Sequence, residues 1–137
     1  DNFIKYINAD VPKNHVIFNE LFLDFKKPIT IVEGVFDALK AGENSVPLLG
    51  SSLNEKDSYL FNTICANNTK VYVSLDKDAR KKESDIISLL LKYGIETEVV
   101  RIPSKYSDIG EMPLGEFEIY KEHSIPIRDQ LDLLDIW

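Results

Sequence analysis

Residues 28–37, PITIVEGVFD, decide the fold, because a strand pattern gives way to a helix pattern within them. The four residues Ile29–Val32 are apolar or β-branched, which is typical of a buried strand. Glu33 and Gly34 follow directly, and we expect Gly34 to permit a backbone turn at which a side chain would clash. Residues Val35–Ala41 then predict a helix. Glu33 is therefore predicted to lie where a strand ends and a helix begins.

Two later stretches repeat this arrangement of a strand followed by acids. Residues 71–75, VYVSL, predict a second buried strand, and Asp76 and Asp78 follow it. Residues 98–102 predict a third, which is followed after a loop by residues 107–111, SDIGE. The carboxyl ends of the strands in an open parallel sheet share one edge, where ligands bind. We therefore expect the acids of all three stretches to meet at that edge.

The remaining pattern alternates strands and helices along the chain. Besides the first strand, strands are predicted at residues 46–49, 70–75 and 95–102. A capping box at Ser52 and Glu55 predicts a helix over residues 53–65, and another helix should run from the 76–78 loop to residue 93. This alternation predicts an α/β fold with right-handed crossovers, in which helices flank a parallel sheet of about four strands.

The length of 137 residues fits one domain with a sizeable core. The strand and helix pattern covers residues 28–112. Residues 1–27 are predicted to be an N-terminal extension. Residues 113–137 are predicted to be a C-terminal extension that packs on the domain or leads to the next one. Because the chain begins at Asp1 without an initiator Met, we expect it to be a piece of a longer protein.

Composition restricts the possible partners. The net charge is −7, whereas a module that binds nucleic acid unaided is usually basic, so either the chain does not bind nucleic acid or metal ions and a neighbouring domain offset the repulsion. The single cysteine, Cys65, excludes a Cys-rich zinc ribbon within the chain. No apolar run approaches the roughly 18–20 residues that cross a bilayer, and no signal-peptide pattern is present. We expect a cytoplasmic protein with no membrane partner.

The spacing of the acids indicates metal chemistry. Asp76 and Asp78 are two residues apart, so both carboxylates can face one ion, and hard oxygen ligands suit Mg²⁺ or Mn²⁺. Asp37 can turn back toward the same edge, and Asp108 arrives from the last loop. Such ions neutralise phosphoryl oxygens and activate nucleophiles. Glu33 could act as a general base or as a further metal ligand, and the sequence leaves both roles open.

Four basic residues lie beside these acids, in the 76–78 loop and at the start of the helix predicted after it. Cations are unfavourable at a helix N-terminus, so their position is informative. They could meet the phosphates of a nucleotide or a nucleic acid. They are Lys77, Arg80, Lys81 and Lys82.

Each of these residues also has a plain structural interpretation. Asp78 alone is most simply a helix cap, Asp37 alone a solvated helix residue, and residues 80–82 an exposed helix face. Glu33 alone fits a structural turn as well as it fits a functional site. The functional interpretation rests on the set, in which acids follow three successive strands.

At these motifs residues 28–112 resemble a Toprim domain, the metal-dependent fold shared by topoisomerases, bacterial and phage primases and some nucleases. Residues 31–38, IVEGVFDA, resemble the primase form of its glutamate motif, and residues 49–53, LGSSL, resemble a primase segment that usually reads Gly-Thr-x-Leu-Thr. Residues 76–78 match its DxD motif. Residues 107–111 resemble a late motif that typically reads Lys-Asp-Pro-Asp-Glu or Lys-Asp-Pro-Gly-Glu. Ser107 and Ile109 depart from that motif, and the Ala-Gly that usually follows DxD is missing.

The resemblance implies the Toprim catalytic part of a DNA primase or primase–helicase, with residues 1–27 as the end of a preceding primase subdomain. Glu33 would be the catalytic acid/base or a ligand, and Gly34 would leave backbone room beside the site. The metal ligands, for Mg²⁺ or Mn²⁺, would be Glu33, Asp37, Asp76, Asp78 and Asp108. The implied partners are a single-stranded DNA template, nucleoside triphosphates and a replicative helicase, in a bacterial or phage-infected cell. The chain alone would have little activity.

Other functions remain open. The nearest is another Toprim chemistry, that of a nuclease or a topoisomerase. A different class is a non-catalytic module, either a Mg²⁺-binding phospho-receiver or a domain that only binds a partner. A receiver usually has an adjacent acidic pair after its first strand and a lone Asp after its third, whereas this chain has Glu-Gly and Asp-x-Asp.

Overall fold

The computed structural model describes residues 23–49, 53 and 58–136. Their strands form one five-stranded sheet in the order β2-β1-β3-β4-β5. The strands are β1 (Ile29–Val32), β2 (Ser45–Pro47), β3 (Val71–Ser74), β4 (Thr97–Val99) and β5 (Ile125–Ile127). The helices are α1 (Val35–Ala41), α2 (Tyr59–Asn67), α3 (Arg80–Lys92), α4 (Phe117–Lys121) and α5 (Gln130–Asp135), with a 3₁₀ turn at Ile109–Glu111. The α/β class with helices flanking the sheet is confirmed.

Four strands are parallel, as predicted, and the fifth is not. Strand β1 lies between β2 and β3, and β4 lies beside β3, all in parallel register with Ile31 opposite both Val46 and Val73. Strand β5 pairs antiparallel with β4 and was not predicted. Its sequence, IPI, carries a proline at its centre, and proline within a short run argues against a strand unless it lies at an edge.

Several predicted boundaries shift for local reasons. Helix α1 has the predicted bounds, and Gly42 at its C-cap has φ 98°. Strand β2 stops before Leu49, whose φ of 55° is left-handed. Helix α2 begins at Tyr59, where the Ser58 hydroxyl accepts the Phe61 N–H at 3.1 Å. The predicted capping box at Ser52 and Glu55 lies outside the described residues.

Strand β4 is shorter than the predicted run over residues 95–102. The Ile95 N–H still bonds to the Leu90 carbonyl at the end of α3, so the strand begins only after the helix has closed. Beyond Val99 one further sheet bond forms, from the Val100 N–H to Val73, and the chain then leaves the sheet.

The core lies on both faces of the sheet. On one face, Ile29, Ile31, Val71 and Val73 pack with the buried sides of α2 and α3. On the other, Val32 packs with residues of α1, the 3₁₀ turn and α4. The near-complete burial of all four residues of β1 explains its continuous apolar sequence. No helix in the described part of the chain is long and apolar enough to cross a membrane.

The C-terminal segment packs on this domain. Leu133 of α5 is 4% exposed and belongs to the same core cluster as β1 and β3, and α5 also contacts α3. Its neighbour Leu134 is 69% exposed.

We predict that Leu133→Ala lowers the free energy of unfolding by about 2–4 kcal/mol, because it leaves a cavity in the core. The matched substitution Leu134→Ala removes an exposed side chain and should change it by less than about 0.5 kcal/mol. Urea unfolding of both variants measures the difference. Equal effects would mean that α5 does not pack as described.

Candidate functional site

The three acidic motifs meet at the carboxyl edge of the parallel strands, as the sequence predicts. The clearest indication that they meet is the pKa of Asp76. The pKa of Asp76, which follows β3, is raised to about 6 by burial first and then by the negative charges of Asp37, Glu33, Asp108 and Asp78. Acids that follow β1, β3 and β4 therefore share one region.

Asp37 joins the first motif to the third. Its carboxylate is buried, and Oδ2 accepts the Gly34 N–H at 3.1 Å while Oδ1 accepts the Gly110 N–H at 2.9 Å. Burial raises the pKa of Asp37, and these two hydrogen bonds partly offset that rise. Asp37 thus fixes the turn after β1 against the 3₁₀ turn. The simpler interpretation of Asp37 as a solvated helix residue is therefore wrong.

The two glycines at this contact differ in what they require. A Cβ at Gly110 would lie 3.2 Å from Asp108 Oδ1 and 3.3 Å from Asp37 Oδ1, so a side chain there would displace the acids. A Cβ at Gly34 would lie 3.6 Å from Asp37 Oδ2, an ordinary contact, and Gly34 has an extended φ of −130°. The prediction that a side chain at position 34 would clash is therefore wrong. The prediction that Gly34 leaves backbone room beside the site stays a prediction.

Glu33 is paired with a cation. Lys82 Nζ of α3 lies 3.0 Å from Glu33 Oε2, and both side chains are largely buried. The first acid of the site is thus held by a residue from the helix that follows the second acidic motif.

The third motif is organised by its own backbone. Asp108 Oδ1 accepts the Glu111 N–H at 3.1 Å and caps the 3₁₀ turn. The Glu111 carboxylate accepts the Ser107 N–H and hydroxyl, and these bonds lower the pKa of Glu111. Ser107 therefore has a structural partner within the loop.

Asp78 is exposed and precedes Ala79, the N-cap of α3, so it does not take the capping role considered for it alone. It lines a cavity of about 520 Å³ together with Lys81 and Lys82. A second cavity, of about 410 Å³, is lined by Asp37, Asp108 and Phe36, which is 76% exposed. Asp78 and the pair of Asp37 and Asp108 therefore each border an open cavity.

The predicted basic residues do not form one patch. Lys77 Nζ donates to the Ser104 carbonyl at 3.3 Å, and Lys82 bonds to Glu33. Lys81 pairs with Asp85 on the exposed side of α3. Arg80 lies 3.9 Å from a carboxylate in the interior, that of Glu83.

Glu83 is a charged residue that the sequence analysis did not identify. Its side chain is 2% exposed, and Oε1 pairs with Arg101 at 2.8 Å. Its Oε2 lies 3.4 Å from the Leu75 N–H, directly before Asp76. Glu83 thus connects α3, the end of β3 and the segment after β4, and it supports the backbone that carries Asp76. A glutamate among other polar residues at the start of a helix resembles a solvent-exposed residue in the sequence. Its pairing with Arg101 could therefore not be predicted.

The donor chemistry of the site fits a divalent cation. The candidate ligands are carboxylate oxygens, which Mg²⁺ and Mn²⁺ prefer. Within residues 23–49, 53 and 58–136, however, no three acidic, histidine or cysteine side chains converge closely enough to bind one ion. Glu33 faces Lys82, and Asp37 and Asp108 face backbone N–H groups, so side chains must rotate to coordinate a metal.

The fold resembles that of two solved primase structures. One contains the zinc-binding and RNA polymerase domains of the Aquifex aeolicus primase, with a TM-score of 0.66 and 26% identity. The other is a DnaG primase catalytic domain bound to single-stranded DNA, with a TM-score of 0.63 and 18% identity. The chain has the fold found in bacterial primases.

Both structural matches cover much more of this chain than of the matched chains. Each covers 85% of this chain, but only 32% of the Aquifex chain and 41% of the other chain. The chain thus spans about a third of the length of the first structure. No protein-family model matches the chain, and no curated protein matches it.

We predict that Glu83→Gln lowers the free energy of unfolding by about 2–3 kcal/mol, because Arg101 loses the charge of its interior partner. Asp85→Asn on the same helix breaks only the exposed pair with Lys81 and should cost less than about 0.5 kcal/mol. Urea unfolding checks both values. A cost for Glu83→Gln no larger than that for Asp85→Asn would contradict a supporting role.

We predict that the stability of the metal-free protein depends on the charge of Asp76. Its pKa is about 6 in the folded protein against an ordinary 3.8, so the folded state holds this proton more tightly than the unfolded state. The stabilisation from protonation is complete below about pH 4 and is lost as the pH rises through 6. Asp76→Asn should therefore stabilise the protein more at pH 8 than at pH 4.

Urea unfolding with EDTA across this range measures that difference, with Glu122→Gln as an exposed control. A stability gain for Asp76→Asn that stays constant with pH would show that Asp76 ionises normally.

Proposed function

We propose that this chain is the metal-binding catalytic part of a DNA primase, which makes RNA primers on a DNA template. One observation carries the proposal. In a fold that resembles bacterial primases, the acids that follow three strands meet, and four of them add to the effect of burial in raising the pKa of Asp76. Such crowding is costly unless a cation compensates it, so a divalent metal accounts for the arrangement.

Asp76 and Asp78 are the proposed main ligands, because they follow β3 two residues apart and Asp78 is exposed. Asp37 and Asp108 would contribute mainly by their charge, since hydrogen bonds to backbone N–H groups already hold both carboxylates. When bound, Mg²⁺ or Mn²⁺ would neutralise charge on phosphoryl oxygens and lower the pKa of an attacking hydroxyl.

The proposed reaction joins the 3′-hydroxyl oxygen of a growing primer to the α-phosphorus of a nucleoside triphosphate and releases pyrophosphate. Glu33 would accept the hydroxyl proton or bind metal, and in either role it competes with the Lys82 ammonium group for its carboxylate. The predicted basic residues are proposed to contact phosphates. Lys77 is the best placed of them, because its side chain is exposed and its one described hydrogen bond is to the Ser104 carbonyl.

Single-stranded DNA is the proposed template partner, since one of the two similar structures is a primase domain bound to it. The helicase partner remains a prediction from the Toprim resemblance, and the cytoplasmic location remains a prediction from the sequence pattern. The nuclease and topoisomerase alternatives use the same acids. The antiparallel β5 disfavours the phospho-receiver, whose doubly wound sheet is typically parallel throughout.

We predict that the wild-type chain binds Mn²⁺ in a calorimetric titration and that Asp76→Asn/Asp78→Asn weakens binding at least about tenfold, a loss of about 1.4 kcal/mol. The control Glu122→Gln/Asp135→Asn removes the same charge at exposed positions and should bind as wild type does. Equal affinity of the two double variants would contradict the proposed site.

Two further assays on the same proteins separate the chemistries. Retention of a ribonucleoside triphosphate that depends on Mn²⁺ and on Asp76 favours the primase. Mn²⁺-dependent cleavage of single-stranded DNA favours the nuclease instead.

A further inference from the structure

Lys82 contacts Glu33, one of the predicted metal ligands. Its Nζ lies 3.0 Å from Glu33 Oε2, with 27% of the lysine side chain and 21% of the glutamate side chain exposed. We propose that Lys82 is a built-in counter-cation for Glu33, which competes with the divalent metal and thereby sets the metal affinity of the site. This inference rests on the proposed metal site.

The position of Lys82 on its helix needs an explanation. It is the third residue of α3, where the positive end of the helix dipole disfavours a cation. The neighbouring cations turn elsewhere, Arg80 toward Glu83 and Lys81 toward Asp85. Lys82 alone among these three reaches an acid that follows β1. The contact with Glu33 therefore offsets an otherwise unfavourable location.

The charge of Glu33 is part of the crowding at the site. Burial is the main cause of the raised pKa of Asp37 and of Asp76, and the charge of Glu33 adds to both, so a cation on Glu33 relieves repulsion among the acids while no metal is bound. A divalent ion does the same more strongly, but it also repels the ammonium group. A metal that binds Glu33 therefore works against this repulsion or displaces Lys82, and either cost lowers the metal affinity.

The same exchange links the metal to the freedom of Glu33. While Lys82 is bound, its positive charge and hydrogen bond make the Glu33 carboxylate a weaker base and a weaker metal ligand. Lys82 also lines the cavity that Asp78 and Lys81 line. Lys82 therefore holds the site stable when it is empty and releases Glu33 when the metal arrives.

The test compares Lys82→Met with Lys92→Met, which removes the same charge at an exposed position at the other end of α3. In calorimetry, Lys82→Met should bind Mn²⁺ about three- to tenfold more tightly than wild type, the effect of one nearby charge in a partly screened site. Lys92→Met should stay within about twofold, since exposed and distant charges are well screened.

Thermal unfolding gives a second readout without activity. In EDTA, Lys82→Met should melt below wild type and Lys92→Met, because Glu33 is then uncompensated. With saturating Mn²⁺ the difference should shrink or disappear. Lys82→Gln, which is neutral but polar, repeats both measurements should the methionine variant fail to fold.

The outcomes separate this inference from the proposed function. If wild type binds Mn²⁺ through Asp76 and Asp78 while both neutral Lys82 variants keep wild-type affinity or bind more weakly, competition by Lys82 is wrong and the metal site stands. If wild type binds no Mn²⁺ with or without nucleotide, the metal site and this inference both fail.

Discussion

The carboxylate of Asp37 accepts backbone N–H groups from Gly34 and from Gly110, and Gly110 lies 73 positions further along the chain. Because Asp37 is on α1, these bonds fix the turn after β1 and the turn after β4 to a single helix. The Lys40 ammonium adds a bond from the same helix to the Met112 carbonyl. The mutual placement of the first and third acidic motifs depends on this helix. A buried carboxylate with two backbone donors is a stable way to hold it, since both oxygens are satisfied.

Electrostatic balance determines the rest of the site. Burial first, and then the negative charges of four neighbouring acids, raise the pKa of Asp76, so the acids are gathered more closely than their charges favour. Three kinds of compensation are present: backbone N–H groups at Asp37 and Asp108, an ammonium group at Glu33, and a guanidinium group at Glu83. The first two act on the acids themselves, whereas the third supports the strand end behind them. A divalent cation would complete this balance at Asp76 and Asp78.

The sequence predicts local structure and general placement here, but not the specific pairing of side chains. The bounds of β1 and α1 follow from the residues themselves, since a β-branched run is succeeded by a helical pattern. The meeting of the acids follows from the geometry of parallel strands. The pairs Lys82–Glu33 and Arg101–Glu83 join residues 49 and 18 positions apart, and no spacing rule links them. Strand β5 was missed because its stability comes from pairing with β4, which a three-residue run containing proline does not reveal.

In the part of the chain that the structure describes, the two outer strands of the sheet share a property that bears on how the protein behaves at high concentration. Strand β2 is SVP and strand β5 is IPI, so each is three residues long and contains a proline. Proline has no N–H to donate, and a short strand offers few groups to an incoming one. Neither edge is therefore a good template for a strand from another molecule. The sheet limits its own growth into intermolecular β-structure, which protects a chain whose parallel strands must find distant partners during folding.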